Sequence, residues 1–182
     1  MKKFATMILA IVLLLSTGTA VFAKSADQRD FEVDGSFSFA TGPGSFDSGF
    51  GVNAGAGYML NSFVQNLQGR VDIGYYDFST DFFFTNLSYT RLPVTVSARY
   101  YFPIMDQLKV FGQAGIETSW DSKEFLDGFG FKHTKNEMNL GVSPGAGVEF
   151  YIMPEFSVFA LGRFHVITDS YFSMQFGAAF NF

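Results

Sequence analysis

The last twelve residues of the chain, Tyr171 to Phe182, alternate large apolar side chains with small or polar ones and end on phenylalanine. Successive side chains of an extended backbone point to opposite faces, so Phe172, Met174, Phe176, Ala178, Phe180 and Phe182 share one face. A strand with one greasy face needs hydrocarbon or a protein core to cover it. The same period of two recurs between turn residues along the chain, and no segment after residue 23 shows the 3.6-residue period of a helix. The pattern predicts eight strands, at about 31–41, 50–60, 67–78, 88–102, 108–120, 138–152, 156–166 and 171–182.

Alternation alone does not say which face is inside. The polar faces carry Glu32, Asp34, Asp72, Glu117 and Glu149 with Arg70, Arg91, Arg99, Lys109 and Arg163, five of each sign. An eight-stranded barrel is just wide enough for side chains to fill, and charges buried there must pair or cost several kcal/mol each. Equal numbers permit pairing, and small neighbours such as Gly51, Gly55 and Gly57 leave room for arginines. The opposite faces are crowded with large rings in a chain of 25 Phe and 8 Tyr, too many for one narrow lumen. An Arg or Lys turned to lipid would cost roughly 2–4 kcal/mol near the midplane. The expected fold is therefore all-β: an eight-stranded antiparallel up-and-down transmembrane barrel, greasy outside, its closed lumen filled by ions. Phe111 is out of phase, on the polar side of the fifth strand.

Short connections at 61–66, 103–107 and 153–155 alternate with longer ones at 42–49, 79–87 and 121–137, the pattern of tight periplasmic turns and larger outer loops. Loop four, 167–170, is short. Ring-bearing residues at strand ends predict two interfacial girdles. The inner would hold Tyr58, Tyr100, Tyr101, Phe102, Phe150, Tyr151, Phe156, Phe180 and Phe182, and the outer Phe50, Tyr75, Phe78, Tyr89, Trp120, Tyr171 and Phe172. Pro93 and Pro144 fall inside strands of a barrel without edges, so a bulge or a rim position is expected at each. Gly51–Gly57 and Gly141–Gly147 are partial repeats of one strand type, which supports one barrel rather than two domains.

Lys2 and Lys3 precede an apolar run, Met7 to Leu15, and Val21-Phe22-Ala23 resembles a cleavage site, so 1–23 is expected to be a cleaved signal peptide. Residues 24–30 then form a short periplasmic segment and 31–182 the barrel. Without Lys2 and Lys3 the mature chain keeps 10 of 12 basic groups against 17 acidic ones, a formal charge of −7 that argues against nucleic acid as partner. The absence of cysteine excludes disulfides, thiolate metal sites and a lipid-anchored lipoprotein.

Arg91-Leu92-Pro93-Val94-Thr95-Val96-Ser97-Ala98-Arg99-Tyr100-Tyr101-Phe102, Gly145-Ala146-Gly147-Val148-Glu149-Phe150 and the terminal Phe182 resemble the small outer-membrane beta-barrel superfamily of OmpA/OmpX-like and opacity-type, porin-like proteins. The resemblance implies integral residence in the outer membrane of a Gram-negative cell envelope. It also implies contact with outer-membrane lipids and lipopolysaccharide, and insertion by the barrel-assembly machinery, for which Phe182 would be the biogenesis signal. Such motifs specify architecture well and activity poorly. That family's peptidoglycan-binding domain is not seen after the last strand.

Gly51, Gly55 and Gly57 are not followed by the Lys-Ser/Thr and helix of a phosphate loop. His165 and Ser173 are expected as inward cross-strand neighbours with Asp169 nearby, a hydrolase-like set as in lipid A deacylases of this fold. Val166-Ile167-Thr168 departs from the His-x-Ser-Asn pattern of those enzymes, so a hydrogen-bonded lumen histidine is the alternative and no enzyme is expected. Asp77, Asp81, Asp121, Asp127 and Asp169 could bind calcium from outer loops, but they lack compact oxygen-ligand spacing, so no metal or cofactor is expected. Phe82, Phe83, Phe84, Phe125, Phe129 and Phe131 put apolar area into loops two and three, either to contact lipopolysaccharide or a surface partner or to be buried in a cap. The expectation is a monomeric structural or surface-interaction protein. A conduit for small hydrophobic molecules is the alternative, and a lipid-modifying enzyme the third reading.

Overall fold

Alternating β-branched and aromatic residues, separated by Gly, Pro and Asn turns, make every regular element among the described residues a strand. The computed structural model describes residues 30–44, 46–82, 85–126 and 131–182. Its elements are β1 (Phe31–Ala40), β2 (Gly49–Met59), β3 (Leu67–Phe82), β4 (Thr85–Pro103), β5 (Leu108–Leu126), β6 (Lys132–Val142), β7 (Gly145–Met153), β8 (Phe156–His165) and β9 (Tyr171–Asn181). All pairings are antiparallel: β1 to β6 pair in succession, β5 also pairs with β7, β7 with β8 and β8 with β9, and β1 pairs with β9, which closes the barrel.

β6 and β7 are two halves of one stave, so the nine segments make eight. Ile116↔Val142 and Gln113↔Gly145 lie on the same register line against β5. Val142↔Val166 and Gly145↔Arg163 do so against β8. Pro144 therefore interrupts the ladder without inserting a residue: its carbonyl still accepts from the Phe164 amide, and the Ser143 amide donates to Gly115. Pro93 behaves similarly. β3–β4 pairing runs from Ile73↔Val94 to Tyr76↔Arg91 in unchanged register, while Pro93 remains opposite Ser119 on the other side. Of the two outcomes expected at each proline, a bulge or a rim position, the bulge is not found, because the missing donor is absorbed as a gap in the ladder; the register shift occurs instead between Tyr151 and Met153, at the last inner turn.

The two faces fall as the charges require. Val96, Ile116, Met174, Phe176 and Phe180 are exposed outward, while Ser173 and Gln175 of the same closing strand are buried inward. Such an apolar belt is what hydrocarbon covers. Loops two and three are shorter than expected, because β3 runs on to Phe82 and β5 to Leu126 as long outward hairpins. Residues 1–29, including the expected signal peptide and nearly all of the 24–30 segment, lie outside the described residues.

Candidate functional site

The lumen is the site where the chemistry-bearing residues converge, and it has two storeys. The lower is ionic. Arg70 is the hub: its Nη1 donates to Glu32 and, at 3.1 Å, to Gln68, and its Nη2 donates to Asp34 and, at 3.0 Å, to Asp72. Arg99 lies 3.6 Å from Glu32 and 3.9 Å from Glu149, with Nε donating to Gln113 at 3.0 Å and its guanidinium 4.1 Å over the Phe111 ring. Arg163 reaches Asp72 at 3.3 Å. The Tyr101 hydroxyl donates to Glu149 at 3.0 Å, and Ser157 donates to the other Glu149 oxygen at 2.5 Å.

Gly55 and Gly57 are small because these arginines and amides pass over them. A Cβ at Gly55 would stand 2.5 Å from the Arg70 guanidinium, and one at Gly57 would stand 2.6 Å from the Gln68 amide.

The upper storey is aromatic. Phe78 stacks on Tyr89 with centroids 5.7 Å apart and meets Tyr171 edge-on at 5.8 Å; Tyr76, Phe46, Ala40 and Leu87 complete the cluster. Arg91 runs through it, 4.9 Å over Tyr171, paired with Asp121 through Nε at 2.9 Å and Nη2 at 2.7 Å. Arg91 also donates to the Asp169 carbonyl at 3.0 Å, which fastens loop four over the mouth.

Nine of the ten expected lumen ions lie inside: Glu32, Asp34, Arg70, Asp72, Arg91, Arg99, Glu117, Glu149 and Arg163. Lys109 does not join the carboxylates. It stands near the inner mouth, its ammonium 4.4 Å over Tyr151 and 5.5 Å over Tyr101, because it is only the second residue of β5. Asp121, expected in a calcium-binding loop, is instead buried as the partner of Arg91, because β5 continues beyond it. The balance is thus six carboxylates with four arginines rather than five of each sign.

Five rings expected in the girdles point inward as well, one of them, Tyr151, half-buried at the inner mouth against the Lys109 ammonium. Tyr101, Phe78, Tyr89 and Tyr171 are all buried, being odd- or even-numbered to match the inward phase of their own strands, and Phe111 joins them. Trp120, Phe50, Tyr58, Tyr100, Phe102, Phe150 and Phe180 do face outward. Register counting along each strand, rather than nearness to a strand end, would have separated the two groups.

His165 and Ser173 are brought together, with Nε2 to Oγ at 2.9 Å, and the acid on Nδ1 is Glu117 at 2.6 Å rather than Asp169. Asp169 instead faces Lys123 at 3.5 Å. The connectivity is that of a Ser–His–acid relay. Its surroundings are those of a core: His165 is 1% and Ser173 0% exposed, and Tyr171 lies flat on the imidazole at 4.0 Å. Among the described residues no group of side chains is arranged to hold a metal ion.

Of the loop rings, Phe125 and Phe131 are exposed, not buried in the cap. Phe83, Phe84 and Phe129, the side chain of Phe82 and Asp127 lie outside the described residues.

A closed barrel with an apolar exterior and this ion-filled interior is the architecture of an outer-membrane barrel. The model of the outer membrane protein beta-barrel domain fits residues 8–182. This chain belongs to that family. Its place is therefore the bacterial outer membrane.

Solved structures agree in fold. OprG of Pseudomonas aeruginosa superposes with a TM-score of 0.66 at 14% identity, covering 85% of this chain and 96% of that one. The neisserial surface protein NspA gives 0.60 at 21%, covering 84% and 97%. Ail, the attachment invasion locus protein of Yersinia pestis, gives 0.58 at 16%, covering 85% and 99%. Comparison with curated protein sequences finds no match.

Proposed function

We propose that this protein is a monomeric, non-conducting surface scaffold: a rigid outer-membrane barrel that presents its outer hairpins to lipopolysaccharide or to a partner outside the cell. The plugged lumen carries the reading. Arg70 and Arg99 cross-link the wall from β1 and β3 to β7, and the Arg91 aromatic layer lies above them, so side chains fill the cross-section at both levels. Residence in the envelope supports the accessory expectations of a cleaved signal peptide at 1–23 and insertion by the barrel-assembly machinery through Phe182, and the burial of His165 and Ser173 supports the expectation of no catalysis. Exposed rings at Phe125 and Phe131 on the β5 and β6 hairpin supply apolar contact area.

Planar-bilayer recording combined with mass spectrometry of lipid A from cells producing the protein tests this. The scaffold reading expects no unitary conductance and unaltered lipid A. Steady ion channels would refute the plug, and deacylated lipid A would revive the enzyme. One observation favours the conduit as a second reading: above Val142↔Val166, β6 pairs only with β5, which leaves the wall unzipped next to the aromatic layer. Transport of a hydrophobic solute into protein-containing vesicles, abolished by a disulfide across that gap, would establish it.

A further inference from the structure

The outward face of β4, β5 and β6 carries a second feature that the lumen does not use. Reading the ladder from the membrane upward, its cross-strand rows are Val96–Ile116–Val142, Val94–Thr118–Leu140, Leu92–Trp120–Met138 and Thr90–Ser122–Asn136. Above these, Glu124 accepts from Lys132 at 2.7 Å and from the Ser88 amide at 2.9 Å. The face changes from apolar to polar between the third and fourth rows, so Trp120 marks the outer boundary of the hydrocarbon. At that boundary the wall is concave. A trough of about 480 Å³ is lined by Leu92, Trp120 and Met138 below and by Thr90, Ser122 and Asn136 above, with Asp121 and Glu137 between them in sequence. β6 has no paired strand on its far side at this height.

We propose that this trough is a binding site for an outer-leaflet glycolipid, with acyl chains against Leu92, Trp120 and Met138 and sugar hydroxyl or amide groups against Thr90, Ser122 and Asn136. The chemistry selects the occupant. An amphiphile is required because an apolar floor meets a polar upper wall within two rows. A saccharide head fits better than a phosphate, because the three outward polar side chains are uncharged and the other two residues of the lining, Asp121 and Glu137, are acidic. The apolar rows beneath, with Ile116 63% and Leu140 75% exposed, extend the floor in the direction that chains would take. The site gives the lipopolysaccharide contact of the scaffold reading a definite place on the outer wall, so it rests on that part of the reading and not on whether the lumen conducts.

Trp120 is the only tryptophan of the chain, so its fluorescence reports the trough directly. The full-length barrel is folded into phosphatidylcholine vesicles whose acyl chains are brominated, and lipopolysaccharide is titrated in. The site predicts that quenching of Trp120 is relieved well beyond simple dilution of the brominated lipid and saturates at a low lipopolysaccharide fraction. Thr90→Ala with Asn136→Ala, which leaves the apolar floor intact, should raise the half-saturating fraction by about fivefold or more, from the loss of two hydrogen-bonding groups. Unchanged mobility on heat-modifiable gels checks that the variant is folded. Quenching that merely follows the bulk fraction of brominated lipid would overturn the proposal, as would a double variant titrating like the parent.

Discussion

Arg70→Met tests the ionic storey most sharply, because methionine keeps much of the arginine stem and removes only the charge and its donors. Three carboxylates contact Arg70, but they do not suffer equally. Glu32 retains Arg99 at 3.6 Å and Gln68 at 3.0 Å, and Asp72 retains Arg163 at 3.3 Å and Gln113 at 3.2 Å. Asp34 loses its ion-pair partner altogether while its side chain stays 5% exposed. One orphaned buried charge costs about 3–5 kcal/mol, so the loss should be of that size and not three times it. Removing the orphan should then restore stability: Arg70→Met with Asp34→Asn is expected to be more stable than Arg70→Met alone by about 1–3 kcal/mol, the usual range for coupled neighbours. Reversible urea unfolding from lipid vesicles, followed by Trp120 emission, measures both. A loss below about 1 kcal/mol for Arg70→Met, or strict additivity in the double variant, would refute the role given to Arg70.

Three further outcomes follow from particular contacts. Gly147→Ala places a Cβ 2.3 Å from the Ala160 carbonyl oxygen and 2.5 Å from the Phe111 ring, and should cost about 1–3 kcal/mol, whereas Gly112→Ala meets nothing within 4 Å and should stay within about 0.5 kcal/mol in the same urea assay. Lys132 and Ser88 hold the Glu124 carboxyl down to about 2 from an ordinary 4.5, so its contribution is complete above 4.5 and is lost as pH falls toward 2. A carboxyl ¹³C titration of that residue should find the midpoint low, and Lys132→Met should move it back up. Phe182 closes the barrel through backbone bonds to Phe31 and packs its ring 5.1 Å from Phe180. Deleting it should sharply lower the folded, heat-modifiable fraction in outer-membrane preparations while export itself continues.

The barrel was legible in the sequence because period two is a local property: the inward set Glu32, Arg70, Arg99 and Glu149 and the outward set Met174, Phe176 and Phe180 follow from parity within a single strand. Partnership was not. Which acid faces His165 depends on how β5 and β8 are staggered around the barrel, so Asp169, near in sequence, was the visible candidate and Glu117, 48 residues away, was the actual one. Strand ends were equally hard to read, because outer hairpins that continue in solvent carry no hydrophobic signal; Asp121 passed for a loop acid for that reason, and Lys109, at the opposite end of β5, passed for a lumen ion. The prolines show the same limit. Sequence marks a missing donor, but only the ladder tells whether the neighbours shift by a residue or leave a gap.

Everything rests on which parity faces hydrocarbon. The chain has no native cysteine, so single cysteines at 173 to 176 on β9 can carry a nitroxide, and its collision rates with oxygen and with a water-soluble nickel complex can be read in bilayers. We predict that Met174→Cys and Phe176→Cys collide readily with oxygen and scarcely with nickel, and that Ser173→Cys and Gln175→Cys are shielded from both. High oxygen accessibility at 173 and 175, with 174 and 176 shielded, would contradict the fold and the lumen together.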